Sequence, residues 1–136
     1  MASKKTKKFK RQPRHYRKKG LPGKKENRFY IDEMSGHPFV SQSKHGVFFY
    51  GHNVTHSPLR NFDGSIKQKY RRFPRRIVPG DPRASYFDTT LFRINNAPKP
   101  GKTTGRLKRK NWRLSKANKE ILRKVERERI KRAKKK

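Results

Sequence analysis

The sequence predicts a small α+β protein. It would combine a short antiparallel, β-rich or irregular core with an extended basic N-terminal arm and a basic C-terminal α-helix. Three observations lead there. Apolar and aromatic side chains concentrate between Asn27 and Pro98. Both ends of the chain are dense in Lys and Arg. From Leu114 to Ala133 there is no Gly or Pro, and Leu114, Ala117, Ile121, Leu122 and Val125 recur at helical spacing. The expected layout is an arm over 1–26, a core over 27–98, a basic linker over 99–110 and a helix over 111–136.

Charge limits what the core can do. The 136 residues carry 41 Lys and Arg against 9 Asp and Glu, a net charge of +32, and only 29% are hydrophobic. Low hydrophobicity with high net charge marks chains that need a partner to order fully. Like charge at this density calls for a polyanion. Residues 1–25 hold 12 bases and no acid, residues 26–98 hold 11 and 6, and residues 99–136 hold 18 and 3. The core is thus nearly balanced between two cationic arms. The arms are expected to order chiefly on binding.

The arm comes first. Lys4, Lys5, Lys7, Lys8, Lys10, Arg11, Arg14, Arg17, Lys18 and Lys19 form an acid-free block, interleaved with Phe9, His15 and Tyr16. Pro13, Gly20, Pro22 and Gly23 break any helix, so the arm should be extended. Such blocks bind nucleic acid, with cations on phosphates and rings on exposed bases.

The core is centred on Val47-Phe48-Phe49-Tyr50, the run water rejects most strongly. Arg28–Glu33, Pro38–Gln42 and Val47–Tyr50 read as three strands of a meander over 27–54, with turns at 34–37 and 43–46 and Gly51 as a bulge or strand end. Phe29, Tyr30, Ile31, Phe39, Val40, Phe62, Tyr70, Phe73, Ile77, Val78, Tyr86, Phe87, Leu91, Phe92 and Ile94 complete the candidate core. Asn61–Gly64 is a turn signal. Residues 85–94 are rich in strand formers and should give a fourth strand or an extended segment.

Between them, Lys67, Lys69, Arg71, Arg72, Arg75 and Arg76 surround Tyr70, Phe73 and Pro74, which suits either backbone and base contacts or rings tucked into the core. In the last arm, Arg106, Lys108, Arg109, Lys110 and Arg113 are further candidate phosphate ligands. Ser115 or Asn111 would cap the helix. Glu120 with Lys124, Glu128 with Arg132 and Glu126 with Arg129 would pair along it. Tyr16, Tyr70, Phe73 and Trp112 are the base-stacking candidates.

Several chemistries lack their parts. With no cysteine there is neither a disulfide nor a thiolate site. His37, His45, His52 and His56 lie close in sequence, and His52 and His56 sit four apart as on a metalloprotease helix. But Asn53, Val54 and Thr55 are poor helix formers, Pro58 follows and no Glu follows His52, so no metal or cofactor is expected. Gly101-Lys-Thr103 ends like a phosphate-binding loop, but the first glycine of that motif would fall at Asn96. Asn53-Val-Thr55 fits a glycosylation acceptor with no secretory signal before it. No apolar run is long enough for a membrane span. The carboxylates are few, and Asp32 and Glu33 would point to opposite faces of a strand. No enzyme and no small-molecule substrate is expected.

The Lys-rich first arm, the compact aromatic core and the Arg/Lys-rich end from Trp112 to Lys136 together resemble the small basic ribosomal proteins as a class. That resemblance implies a structural component docked on ribosomal RNA, with neighbouring ribosomal proteins, in the cytoplasmic ribosome, with an organellar ribosome or a virion as the other places. A DNA-associated architectural protein of a virion or nucleoid is the second reading. A nucleic-acid enzyme is the third.

Overall fold

The computed structural model describes residues 20–134. The expected meander is present and longer than its apolar runs: β1 (Lys24–Asp32), β2 (Pro38–His45) and β3 (Phe48–Thr55) pair in antiparallel order. Tight links allow this. The Asp32 carbonyl accepts from Gly36 N at 2.7 Å, and Asp32 N donates to the His37 carbonyl at 2.9 Å. Between β2 and β3 only two residues turn the chain, and Gly46 takes a φ of +62° that few other residues tolerate.

Four short strands complete the sheet: β4 (Tyr70–Arg72), β5 (Tyr86–Asp88), β6 (Phe92–Asn95) and β7 (Leu107–Lys110). One edge of β3 is shared. Its first half pairs with β6, while Val54 and Thr55 pair with β5, which in turn carries β4. At the far side β7 pairs with β1. In the order β7-β1-β2-β3-β6 the two outer strands meet again. Asn96, just after β6, accepts at Oδ1 from Leu107 N at 2.6 Å. The five strands therefore curl into a barrel-like roll. Each contributes one inward side chain: Tyr30, Phe39, Phe49, Ile94 and Leu107, all buried and packed together.

The alternate residues face the other way. Phe29, Val40, Val54 and Phe87 form the floor of a second cluster with Phe73, Ile77, Leu114, Leu122 and Val125. Helix α1 (Lys116–Lys134) covers this floor through Leu122 and Val125. Each such side chain gains roughly 1.5–3 kcal/mol on burial. That docks the helix on the core, where its charge alone suggested order only on binding. Ser115 caps it, accepting from Asn118 N at 3.2 Å. Glu126 pairs with Arg129 as expected, but Glu120 takes Arg123 at 3.2 Å rather than Lys124.

The structure departs from expectation at other points. The single strand expected over 85–94 is two. Thr90 N donates to Asp88 Oδ1 at 2.9 Å, and this side-chain turn breaks the run between β5 and β6. Residues 107–110, expected as linker, form β7. Gly51 is neither bulge nor strand end. The register shift lies in β2, between Ser41 and Ser43, and Gly51 sits mid-strand where any Cβ would collide with the Val40 carbonyl oxygen. Phe62 is not core at all but fully exposed. No helix among the described residues is long and apolar enough to cross a membrane.

Candidate nucleic-acid interface

Two buried anchors govern the most basic stretch of the core. Phe73 and Ile77 are 1% and 4% exposed and sit in the helix-covered cluster, which leaves Arg75 and Arg76 exposed between them. Asn118 of α1 is fully buried and clamps this bridge. Its Oδ1 accepts from Arg75 N at 2.9 Å and its Nδ2 donates to the Arg75 carbonyl at 3.1 Å. The expectation that Phe73 stacks on bases is thereby corrected. Its ring lies 4.8 Å from Phe87 and 6.3 Å from Phe29, with no face open. Trp112 is also turned inward, half-buried against the same cluster and 6.0 Å from Phe29, with Lys110 Nζ 5.6 Å from its ring.

Tyr70, partly exposed like Trp112, lies in a basic groove. Lys67, Tyr70, Arg71, Arg72, Tyr86 and Arg132 line a shallow concavity of about 660 Å³. Cross-strand pairing of β4 and β5 sets Arg72 opposite Tyr86, and α1 brings Arg132 across from the far end of the chain. The Arg71 guanidinium is held by donating to the Gln68 carbonyl at 2.9 Å. Lys69 stands 5.2 Å from the Tyr70 ring and 3.3 Å from Asp88, so its charge is already met. No carboxylate among the described residues lines the groove itself. Tyr86 and Arg132 were not read as site residues, because only the fold brings them to the segment 67–72.

The other cations are distributed differently. Arg106 makes a two-pronged ion pair, Nε to Asp32 Oδ1 and Nη2 to Asp32 Oδ2, both at 2.7 Å. Asp32 is 1% exposed, and the guanidinium holds its carboxyl below the usual carboxylate range. The Arg106 charge thus serves the fold, which corrects its assignment as a phosphate ligand. Lys108 pairs with Glu33 at 3.4 Å and shares with Lys99 and Lys102 a smaller concavity of about 270 Å³. Arg109, Lys110 and Arg113 are exposed. A third hollow, at the end of β1 and β2, carries Lys24, Lys25, Arg28 and Lys44 together with Glu26. The expected contacts at Lys4, Lys5, Lys7, Lys8, Lys10, Arg11, Arg14, Arg17, Lys18 and Lys19, and the stacking at Tyr16, lie outside the described residues.

The histidines do not converge. No group of three metal-ligating side chains comes together among the described residues. His52 is buried, with Nδ1 2.9 Å from the Asp88 carbonyl and 3.1 Å from that of Thr90, and Nε2 2.7 Å from Gln42 Nε2. Two carbonyl acceptors require the proton on Nδ1, so Nε2 accepts from the Gln42 amide. The ring is neutral, and burial pushes its pKa down. His52 ties β3 to β2 and to the turn that supports β5.

No protein-family model matches the chain, and neither a curated protein nor a solved structure matches it significantly.

Proposed function

We propose that this protein is a structural RNA-binding component of the ribosome that neutralises and positions ribosomal RNA beside neighbouring ribosomal proteins. The carrying observation is the groove where Lys67, Arg71, Arg72 and Arg132 meet Tyr70 and Tyr86 without a lining acid. Four cations suit a phosphate backbone, and the two partly exposed rings suit unpaired bases beside it. Arg75 and Arg76, held out by buried neighbours and the Asn118 clamp, extend the cationic surface.

A structural rather than catalytic role is supported by how the acids are used. Asp32 is bound by Arg106. Arg83 holds the Asp81 carboxyl well below the usual range. Asp88 takes Lys69, and His52 is locked as a neutral donor and acceptor. These groups are committed to the fold, which leaves little for proton transfer. The test is sedimentation of tagged protein in cell lysate at rising salt. The proposal expects co-migration with ribosomal subunits and release at high salt. Recovery with capsids or nucleoids instead would favour the DNA-associated reading and overturn this one.

A further inference from the structure

Phe62 is an unusual residue to leave in water. It is 114% exposed, more than in an extended reference chain, and it tops the loop between Leu59 and Lys67. The loop is built, not loose. Arg60 and Ile66 form an antiparallel bridge, and Lys67 N donates to the Leu59 carbonyl at 3.0 Å. Inside it, Asn61 N donates to the Ser65 carbonyl at 2.8 Å and Gly64 N to the Asn61 carbonyl at 3.0 Å. Asp63 Oδ1 accepts from both Ser65 N at 2.9 Å and Ser65 Oγ at 2.6 Å. Arg60 Nη1 closes the tip on the Gly64 carbonyl at 2.7 Å. The ring is therefore presented by a preformed scaffold, and little ordering remains to be done on binding.

We propose that this loop is a stacking finger that lays Phe62 against an unpaired RNA base. The inference rests on the RNA-binding reading above and adds a contact to it. Charge selects the occupant. Arg60 and Lys67 flank the ring within the loop, and Arg71 and Arg72 follow in the adjoining groove. The one acid, Asp63, is occupied by Ser65. An apolar ring set among cations suits a base carried on a phosphate backbone. A second copy of this chain would instead bring two +32 bodies together.

The experiment compares wild type, Phe62→Ala and Phe62→Trp on two short RNA duplexes, one fully paired and one carrying a single unpaired adenosine. Wild type should prefer the bulged duplex. Phe62→Ala should lose roughly ten-fold in affinity on the bulged RNA and almost none on the paired one. Phe62→Trp should keep the preference, and its added fluorescence should be quenched only by the bulged RNA. Thermal melting of Phe62→Ala should match wild type, since the side chain supports no core. Equal binding by wild type and Phe62→Ala overturns the finger and leaves the RNA-binding reading intact, as does an equal loss on both duplexes. Failure of wild type to bind either RNA overturns both.

Discussion

Replacing Arg106 with Ala should destabilise the protein while leaving RNA binding nearly as it was. The substitution strips Asp32 of two 2.7 Å bonds and leaves a carboxylate that is 1% exposed with Met34 N, at 3.0 Å, and the Ser35 hydroxyl as its donors. Removing one partner of such a buried pair costs about 3–5 kcal/mol, because the other charge stays buried without compensation. The deficit has a pH signature. In wild type the folded-state pKa of Asp32 lies below the ordinary value of about 3.9, so its contribution is present above that pH and is lost as pH falls through the folded pKa. Without the guanidinium, burial is opposed only by the Met34 and Ser35 hydrogen bonds, so the folded pKa is higher than in wild type and the variant loses less stability as acid protonates Asp32. The gap between the proteins should therefore be widest near neutral pH and narrow as pH falls below about 4. Urea unfolding reports it through Trp112, the only tryptophan, which packs on Phe29. An Arg106→Ala protein that unfolds with wild type at neutral pH, or a gap that widens on acidification, would refute the reasoning.

Phe49→Ala should cost roughly 3–5 kcal/mol, since that ring fills the roll, whereas Phe48→Ala should cost clearly less. Phe48 is half-buried, with the Arg93 guanidinium 4.7 Å from its ring, and the two melting curves make the comparison. Asn118→Ala should cost about 1–3 kcal/mol by stranding the Arg75 amide and carbonyl, and amide exchange at Arg75 should accelerate. His52 should add acid sensitivity. Its folded pKa is depressed, so stability should fall as pH drops below about 6.5, by up to roughly 1.4 kcal/mol per pH unit. His52→Asn should flatten that part of the profile.

The meander was legible because its signals are local: short runs of strand formers at 28–33, 38–42 and 47–50, and turn residues at 34–37 and 43–46. Long-range pairing was not. β4, β6 and β7 are three or four residues long and lie in stretches that read as basic loop, strand or linker. Nothing near Arg106 announces Asp32, 74 positions away, as its partner. Neighbouring cations left Phe73 open between a base contact and a place in the core, and the fold buries it, while Trp112 is half-buried against the same cluster. Phe62 was misjudged in the other direction, since apolarity alone does not distinguish a core ring from a presented one. The groove was half visible. Arg71, Arg72 and Tyr70 came from local composition, while Tyr86 and Arg132 join them only through the β4–β5 pairing and the docked helix.

The proposed function rests on phosphate neutralisation in the groove. Its most direct test is a salt titration of binding to structured RNA by wild type and by a variant with Lys67, Arg71, Arg72 and Arg132 all changed to Gln. Each phosphate neutralised adds about 0.9 to the slope of log affinity against log salt on a duplex and about 0.7 on a single strand. The variant should fold as wild type, and its slope should be shallower by roughly 3. A slope unchanged by loss of all four cations would contradict it.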